Sequence, residues 1–232
     1  KVYAKPILQP AKGVKALDVV LNECRLDHLA LGYGRYGEAL DMAFPAVDRV
    51  LQLFPIRGKG RLISSKIEIS LTTNLGATIS AGTGYTASYG ADYEHIVLRI
   101  DLHALTIKLA ALTGATINKP LRIDPQQDFT RPGAQLLRQY LLSLIDTLSA
   151  AKPDTPFPAW WSAQTEQLLM TLFLYANRHN YSHLFEQEAP DASLQDVRRA
   201  EEYIKANWQQ AITLEDLAEI TGLSAFSLFR SF

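Results

Sequence analysis

Between His28 and Asp101 apolar residues recur with a period of two, and glycines punctuate them. That period puts alternate side chains on opposite faces of an extended chain, so the stretch is read as β-structure. Leu29, Leu31, Tyr33 and Arg35 alternate with His28, Ala30, Gly32, Gly34 and Tyr36. Arg49–Ile56 is mostly apolar on both faces, and Leu62–Thr72 alternates around Ile63, Ile67 and Ile69. Ala77–Ile79, Tyr85–Ser88 and His95–Ile100 are further short strands, with turn formers at Gly58, Gly60, Asn74, Gly76, Gly82, Gly84 and Gly90. Short, evenly spaced strands with glycine turns predict an antiparallel barrel or sandwich. Upstream, residues 1–27 begin extended around Pro6 and Pro10, and one short helix is expected within Lys12–Leu26.

After Asp101 the period becomes helical. Leu102–Leu112 predicts a helix stopped by Gly114, and Ile117–Ile123 one more strand. Gln135–Ala150 carries a wide apolar stripe, and Trp160–Tyr181 a second one beyond Pro153, Pro156 and Pro158. Two such helices bury their stripes on the β-domain or across a dimer. A polar linker containing Pro190 follows. Ser193 and Asp196 then form a capping box for a helix bearing Val197, Ala200, Ile204 and Trp208.

The last stretch is the most specific. Thr213 and Asp216 form another capping box, Leu214, Leu217 and Ala218 one apolar stripe, and Gly222 a helix stop. Ser224 can cap a second helix, which makes a helix-turn-helix. On that second helix Ala225, Leu228 and Phe232 share one side, while Phe226 and Arg230, flanked by Ser227 and Phe229, face the other.

Ile212-Thr-Leu-Glu-Asp-Leu-Ala, Gly222-Leu-Ser and Leu228-x-Arg-x-Phe resemble the first helix-turn-helix of the AraC/XylS family of bacterial transcription regulators. The resemblance implies that Ser224, Phe226, Ser227, Phe229 and Arg230 serve DNA binding. It also implies a further C-terminal part beyond Phe232. His95-Ile-Val-Leu-Arg-Ile-Asp-Leu-His-Ala-Leu is similar to a strand-into-helix segment of that family's cupin-like effector-binding half. The implied fold class is α+β: an antiparallel cupin-like β-barrel over 28–125, a long helix pair over 134–183, then an all-α helix-turn-helix subdomain. The domains would be 1–184 for effector binding and dimerisation, 185–193 as linker, and 194–232 as a partial DNA-binding domain.

Composition and other motifs narrow the function. A formal net charge of −1 gives no global pull toward nucleic acid or anionic membrane. Cys24 is the only cysteine, so no intrachain disulfide can form, and it is expected as a structural thiol in a reducing compartment. No signal-peptide core and no run long enough to span a bilayer is present, so the expected location is cytoplasmic. Gly32-Tyr-Gly-Arg-Tyr-Gly37 matches a dinucleotide fingerprint, but it lies in an alternating strand with Pro45 soon after, and is taken as chance or as glycines that let a barrel strand bend. Gly58-Lys-Gly60 lacks P-loop spacing and predicts a hairpin turn. His28, His95, His103, His179 and His183 form no His-x-His, and Glu94–His95 is the single close pair among strands. His179 and His183, four apart near a helix end, permit a metal but suit a helix C-terminus as cations. No nucleophile elbow surrounds Ser80, Ser88 or Ser162.

The expected function is therefore that of a ligand-responsive, sequence-specific regulator, an activator without catalytic activity, metal or cofactor. Candidate effector-lining residues are the polar or aromatic strand residues Tyr33, Arg35, Gln52, Arg61 and Arg99. An inward arginine could fork a carboxylate. Each alone is equally a solvated strand residue or a partner of a structural acid. The resemblance implies promoter DNA, a homodimer partner, RNA polymerase and a small-molecule effector such as an aromatic or carboxylic acid. The competing reading is a metal-free, cupin-like binding protein or enzyme whose helical tail mediates protein interaction.

Overall fold

The computed structural model describes residues 7–10, 19–46, 48–64, 67–150, 157–186, 194–209 and 212–223. The chain divides into two compact units, residues 1–105 with 122–179, and 106–121 with 180–232.

In the first unit the period-two segments pair into two antiparallel sheets. One has five strands: β1 (Ile7–Pro10), β4 (Leu40–Phe44), β9 (Tyr85–Tyr89), β6 (Gly60–Ser64) and β7 (Ile67–Leu71), in that spatial order. The other has six: β11 (Gln126–Asp128), β8 (Leu75–Ile79), β5 (Arg49–Arg57), β10 (Tyr93–Asp101), β3 (Leu29–Tyr36) and β2 (Val19–Arg25). Leu40, Met42, Leu62, Ile69, Leu71 and Ala87 of the first sheet share one core with Leu51, Leu53, Ala77, Ile79 and Val97 of the second. The arrangement is a sandwich, which corrects the expected barrel: neither sheet closes on itself. The cause is visible at Gly58, whose φ of +74° suits glycine. The turn there joins β5 of one sheet to β6 of the other, so it is a crossover and not the expected hairpin.

The six-stranded sheet is buried on both faces along its central strands β5 and β10. Its second face meets α2 (Pro132–Ala150) and α3 (Ala159–Ala176), whose Leu137, Leu141, Leu169 and Phe173 are fully buried. This explains why Arg49–Ile56 is mostly apolar on both faces. Gln52 Nε2 donates to Asn177 Oδ1 (2.8 Å), and Asn177 Nδ2 donates to Gln52 Oε1 (3.1 Å) and to the Phe173 carbonyl (2.8 Å). The Arg138 guanidinium donates to the carbonyls of Thr73 and Pro55, and Glu166 accepts from the His28 amide.

Three expectations are altered in this unit. Of the stretch Lys12–Leu26 in which one short helix is expected, Val19–Arg25 is strand β2, paired with β3, and residues 12–18 lie outside the described residues. Leu62–Thr72 is two strands, β6 and β7, paired with each other. Trp160–Tyr181 is helical only to Ala176, since Asn177 is extended and clamped to Gln52.

α1 (Leu102–Thr113) follows β10 directly, and Asp101 Oδ1 accepts from the Ala104 amide at its start. In the second unit the strand expected over Ile117–Ile123 is absent. Lys119 bonds through both its amide and its carbonyl to the Tyr181 hydroxyl, and Pro120 has no amide to offer a ladder. α4 (His183–Glu186) precedes α5 (Leu194–Asn207), which packs on α6 (Leu214–Thr221). α6 starts with the predicted capping box: the Thr213 side chain accepts from the Asp216 amide and Asp216 accepts from the Thr213 amide. Gly222 ends it at φ +71°. Among the described residues no helix is long and apolar enough to cross a membrane.

Candidate functional site

The inner face of the six-stranded sheet holds polar and aromatic side chains where the rest of the core is aliphatic. Along β10, Tyr93, His95, Val97 and Arg99 alternate inward, and Gly32, Gly34 and Tyr36 of β3 lie opposite them. Tyr36, Tyr89, Tyr93 and His95 form one aromatic group. Tyr36–Tyr89 and Tyr89–Tyr93 stack at centroid distances of 4.9 and 4.5 Å, and His95 lies 5.3 Å from Tyr93. Burial holds the Tyr36 hydroxyl up at about 12 and drives Tyr85, Tyr89 and Tyr93 higher still. His95 is pulled down to about 3, first by burial and then by the charge of Arg99, so its ring is neutral. His95 Nδ1 and the Tyr93 hydroxyl are buried without a hydrogen-bond partner among the described residues. Arg99 lies 3.5 Å from Glu23 of β2, and its pKa is lowered by burial in spite of that partner.

Of the five expected lining residues, Arg99 alone projects into the interior. Tyr33 lies on the opposite face of β3 and donates to Glu94 (3.2 Å). Arg35 is exposed on that same face. Gln52 is buried, but toward α3 through Asn177. Arg61 is exposed on β6, 3.5 Å from Glu68. The physical reason is parity: one strand position separates inside from outside. The first half of β3, Leu29 to Gly32, is buried on both faces, so polarity does not mark which set is inner. The missed residues are Glu23, Tyr36, Tyr85, Tyr89, Tyr93 and His95. Tyr93, His95 and Arg99 share the period of two, and that spacing was the available signal.

Glu94 and His95, neighbours in sequence, face opposite sides, so they cannot share one ion. His179 accompanies Ile123 in an isolated bridge beyond α3, with Nε2 3.1 Å from the Leu174 carbonyl, while His183 begins α4. The two therefore share no helix, contrary to expectation. Among the described residues no group of three or more potential ligands could hold a metal. Cys24 is partly buried, and burial raises its thiol pKa, which suits a structural role. Ser224, Phe226, Ser227, Phe229 and Arg230 lie outside the described residues.

Two facing antiparallel sheets around a polar-aromatic interior, backed by a helix pair, define a cupin-like domain. The chain belongs to the AraC-binding-like domain family, whose profile matches residues 3–174. In fold it is similar to the AraC-like transcriptional activator CuxR, with a TM-score of 0.57 at 15% identity over 98% of this chain and 79% of that one. Identity that low speaks for the fold alone. Partial likenesses reach the Schizosaccharomyces pombe Cnp3 cupin domain (TM-score 0.35, 9% identity, 41% of this chain and 74% of that one) and KdgF from Halomonas sp. (0.34, 9%, 39% and 84%). These are too distant to add to the assignment. No curated protein matches the sequence.

Proposed function

We propose that this protein is a ligand-responsive, sequence-specific DNA-binding regulator that activates transcription in the cytoplasm. A small molecule enters the sandwich interior beside Arg99. The helices α2 and α3 pair two copies, and the C-terminal segment contacts promoter DNA and RNA polymerase. No catalytic step, metal or cofactor takes part. The observation that carries the reading is the match of residues 3–174 to the AraC-binding-like domain family. The capped α6 with its left-handed Gly222, in a sequence resembling the family's reading motif, supports the DNA-binding half. Phe226, Phe229 and Arg230 are the proposed groove-facing residues, with Ser224 and Ser227 beside them.

The test is selection of DNA sequences by the full chain, followed by titration of the selected duplex against a scrambled one. Arg230→Ala should weaken specific binding by about 1–3 kcal/mol if it reads a base. If it holds a phosphate instead, specific and non-specific binding should fall together, with the salt slope lower by about one unit. A protein that binds no duplex more tightly than the scrambled one is not a regulator of this kind.

A further inference from the structure

The outer face of the six-stranded sheet holds three buried polar side chains near the end of α3: Gln52 of β5 is 1% exposed, Thr78 of β8 4% and Asn177 3%. Alternation puts Gln52 and Thr78 on that face, because their neighbours Leu51, Leu53, Ala77 and Ile79 belong to the core between the sheets. The two are in register across β5 and β8. The Thr78 amide donates to the Pro125 carbonyl (2.7 Å), on the β11 side of β8, so toward β5 the pair Gln52–Thr78 is a non-hydrogen-bonded one. Such pairs bring their Cα atoms to about 4.5 Å and their side chains closest. The polar groups are nonetheless unevenly matched. Gln52 exchanges two hydrogen bonds with Asn177, at 2.8 and 3.1 Å, while the Thr78 hydroxyl beside it is buried without a partner among the described residues. Asn177 is also held on the Phe173 carbonyl, by its backbone amide and by Nδ2.

We propose that Gln52 is a two-position switch: its amide fixes Asn177 in one position and, turned onto the Thr78 hydroxyl, releases it in the other. With Gln52 on Asn177 the Thr78 hydroxyl is left over. With Gln52 on Thr78 the Asn177 side-chain carbonyl is left over, and it finds water only when the end of α3 lifts. The first position keeps one more hydrogen bond, so the second is a minority state of about 10% or less. Asn177 begins the extended chain after α3, and the first unit ends at His179. The switch thus sets how firmly the chain leaving that unit is tied to β5, whose Leu51 and Leu53 face the interior. Its use as a link between ligand and DNA rests on the proposed function; the switch itself does not.

Hydrogen exchange at the Asn177 backbone amide, followed by NMR in the full chain without ligand or DNA, reads the released state. Thr78→Val deletes the second position. It should slow that exchange about 5-fold, the factor carried by one net hydrogen bond, and leave the urea midpoint unchanged or higher. Thr78→Ser keeps a hydroxyl and should exchange at the wild-type rate. Gln52→Leu frees Asn177 and should speed exchange by at least about the same factor. Exchange in Thr78→Val at or above the wild-type rate overturns the proposal. So does Thr78→Ser slowed as much as Thr78→Val, or an unchanged rate in Gln52→Leu. A Thr78→Val chain that is destabilised or does not fold overturns it too, because the hydroxyl would then hold a bond, to water or to protein, in the dominant state. None of these results touches selective promoter binding. A chain that selects no duplex yet shows the slowed exchange loses the regulator reading alone.

Discussion

His95 is 6% exposed, sits among three tyrosines and is neutral when folded. Its pKa falls from 6.5 to about 3, so below 6.5 the unfolded chain takes up a proton that the folded chain refuses. Stability contributed by the neutral ring is thus fully present above about pH 6.5 and is lost as the pH falls toward 3. The slope from this single proton is at most about 1.4 kcal/mol per pH unit. Urea unfolding between pH 7 and 4 should show it, and His95→Phe should flatten it. An unchanged slope in that variant would assign the acid sensitivity elsewhere. Arg99 was legible from sequence as a residue that lines the interior. Tyr33 and Arg35 were chosen on the wrong side of their strand, because Gly32 and Gly34, which carry no polarity of their own, are the inward residues there.

At the scale of elements, strand positions followed from alternation wherever one face is solvated. They were blurred where both faces are buried or where partners are distant in sequence. β2 was unreadable because its pairing with β3 is a tertiary choice, and Ile117–Ile123 misled because Tyr181, about sixty residues on, takes the backbone groups of Lys119. The two helix ends of α6 were fully legible, since a capping box and a left-handed glycine are local chemistry. The clamp between β5 and the end of α3 gives a test. Asn177→Ala leaves the Gln52 amide buried without its partner, and should cost about 1–3 kcal/mol in urea unfolding. Gln52→Leu combined with Asn177→Leu should recover part of that loss, because both polar groups are then gone. Additive losses in the double variant would show that the pair is not the clamp.

For the whole molecule, the first unit covers its six-stranded sheet with α2 and α3 yet leaves Leu136, Leu168 and Tyr175 outward, at 49%, 42% and 60% exposure. These are the residues on which the proposed homodimer would close. Leu136→Glu with Leu168→Glu should shift sedimentation from dimer to monomer at micromolar concentration without changing the unfolding midpoint by much, because neither residue is core. Wild-type protein that sediments only as monomer would refute the pairing. β10 has a further consequence for anyone who wishes to retune this protein. Its odd positions, 93 to 99, line the interior, and its even positions, 94 to 100, face the other side, where Ile96, Leu98 and Ile100 are fully buried. A library randomised at Tyr93, His95, Val97 and Arg99 therefore explores new chemical tastes without disturbing the opposite surface of the strand. A single codon inserted in the middle of the same strand would exchange the two sets at once and leave neither surface with its own residues.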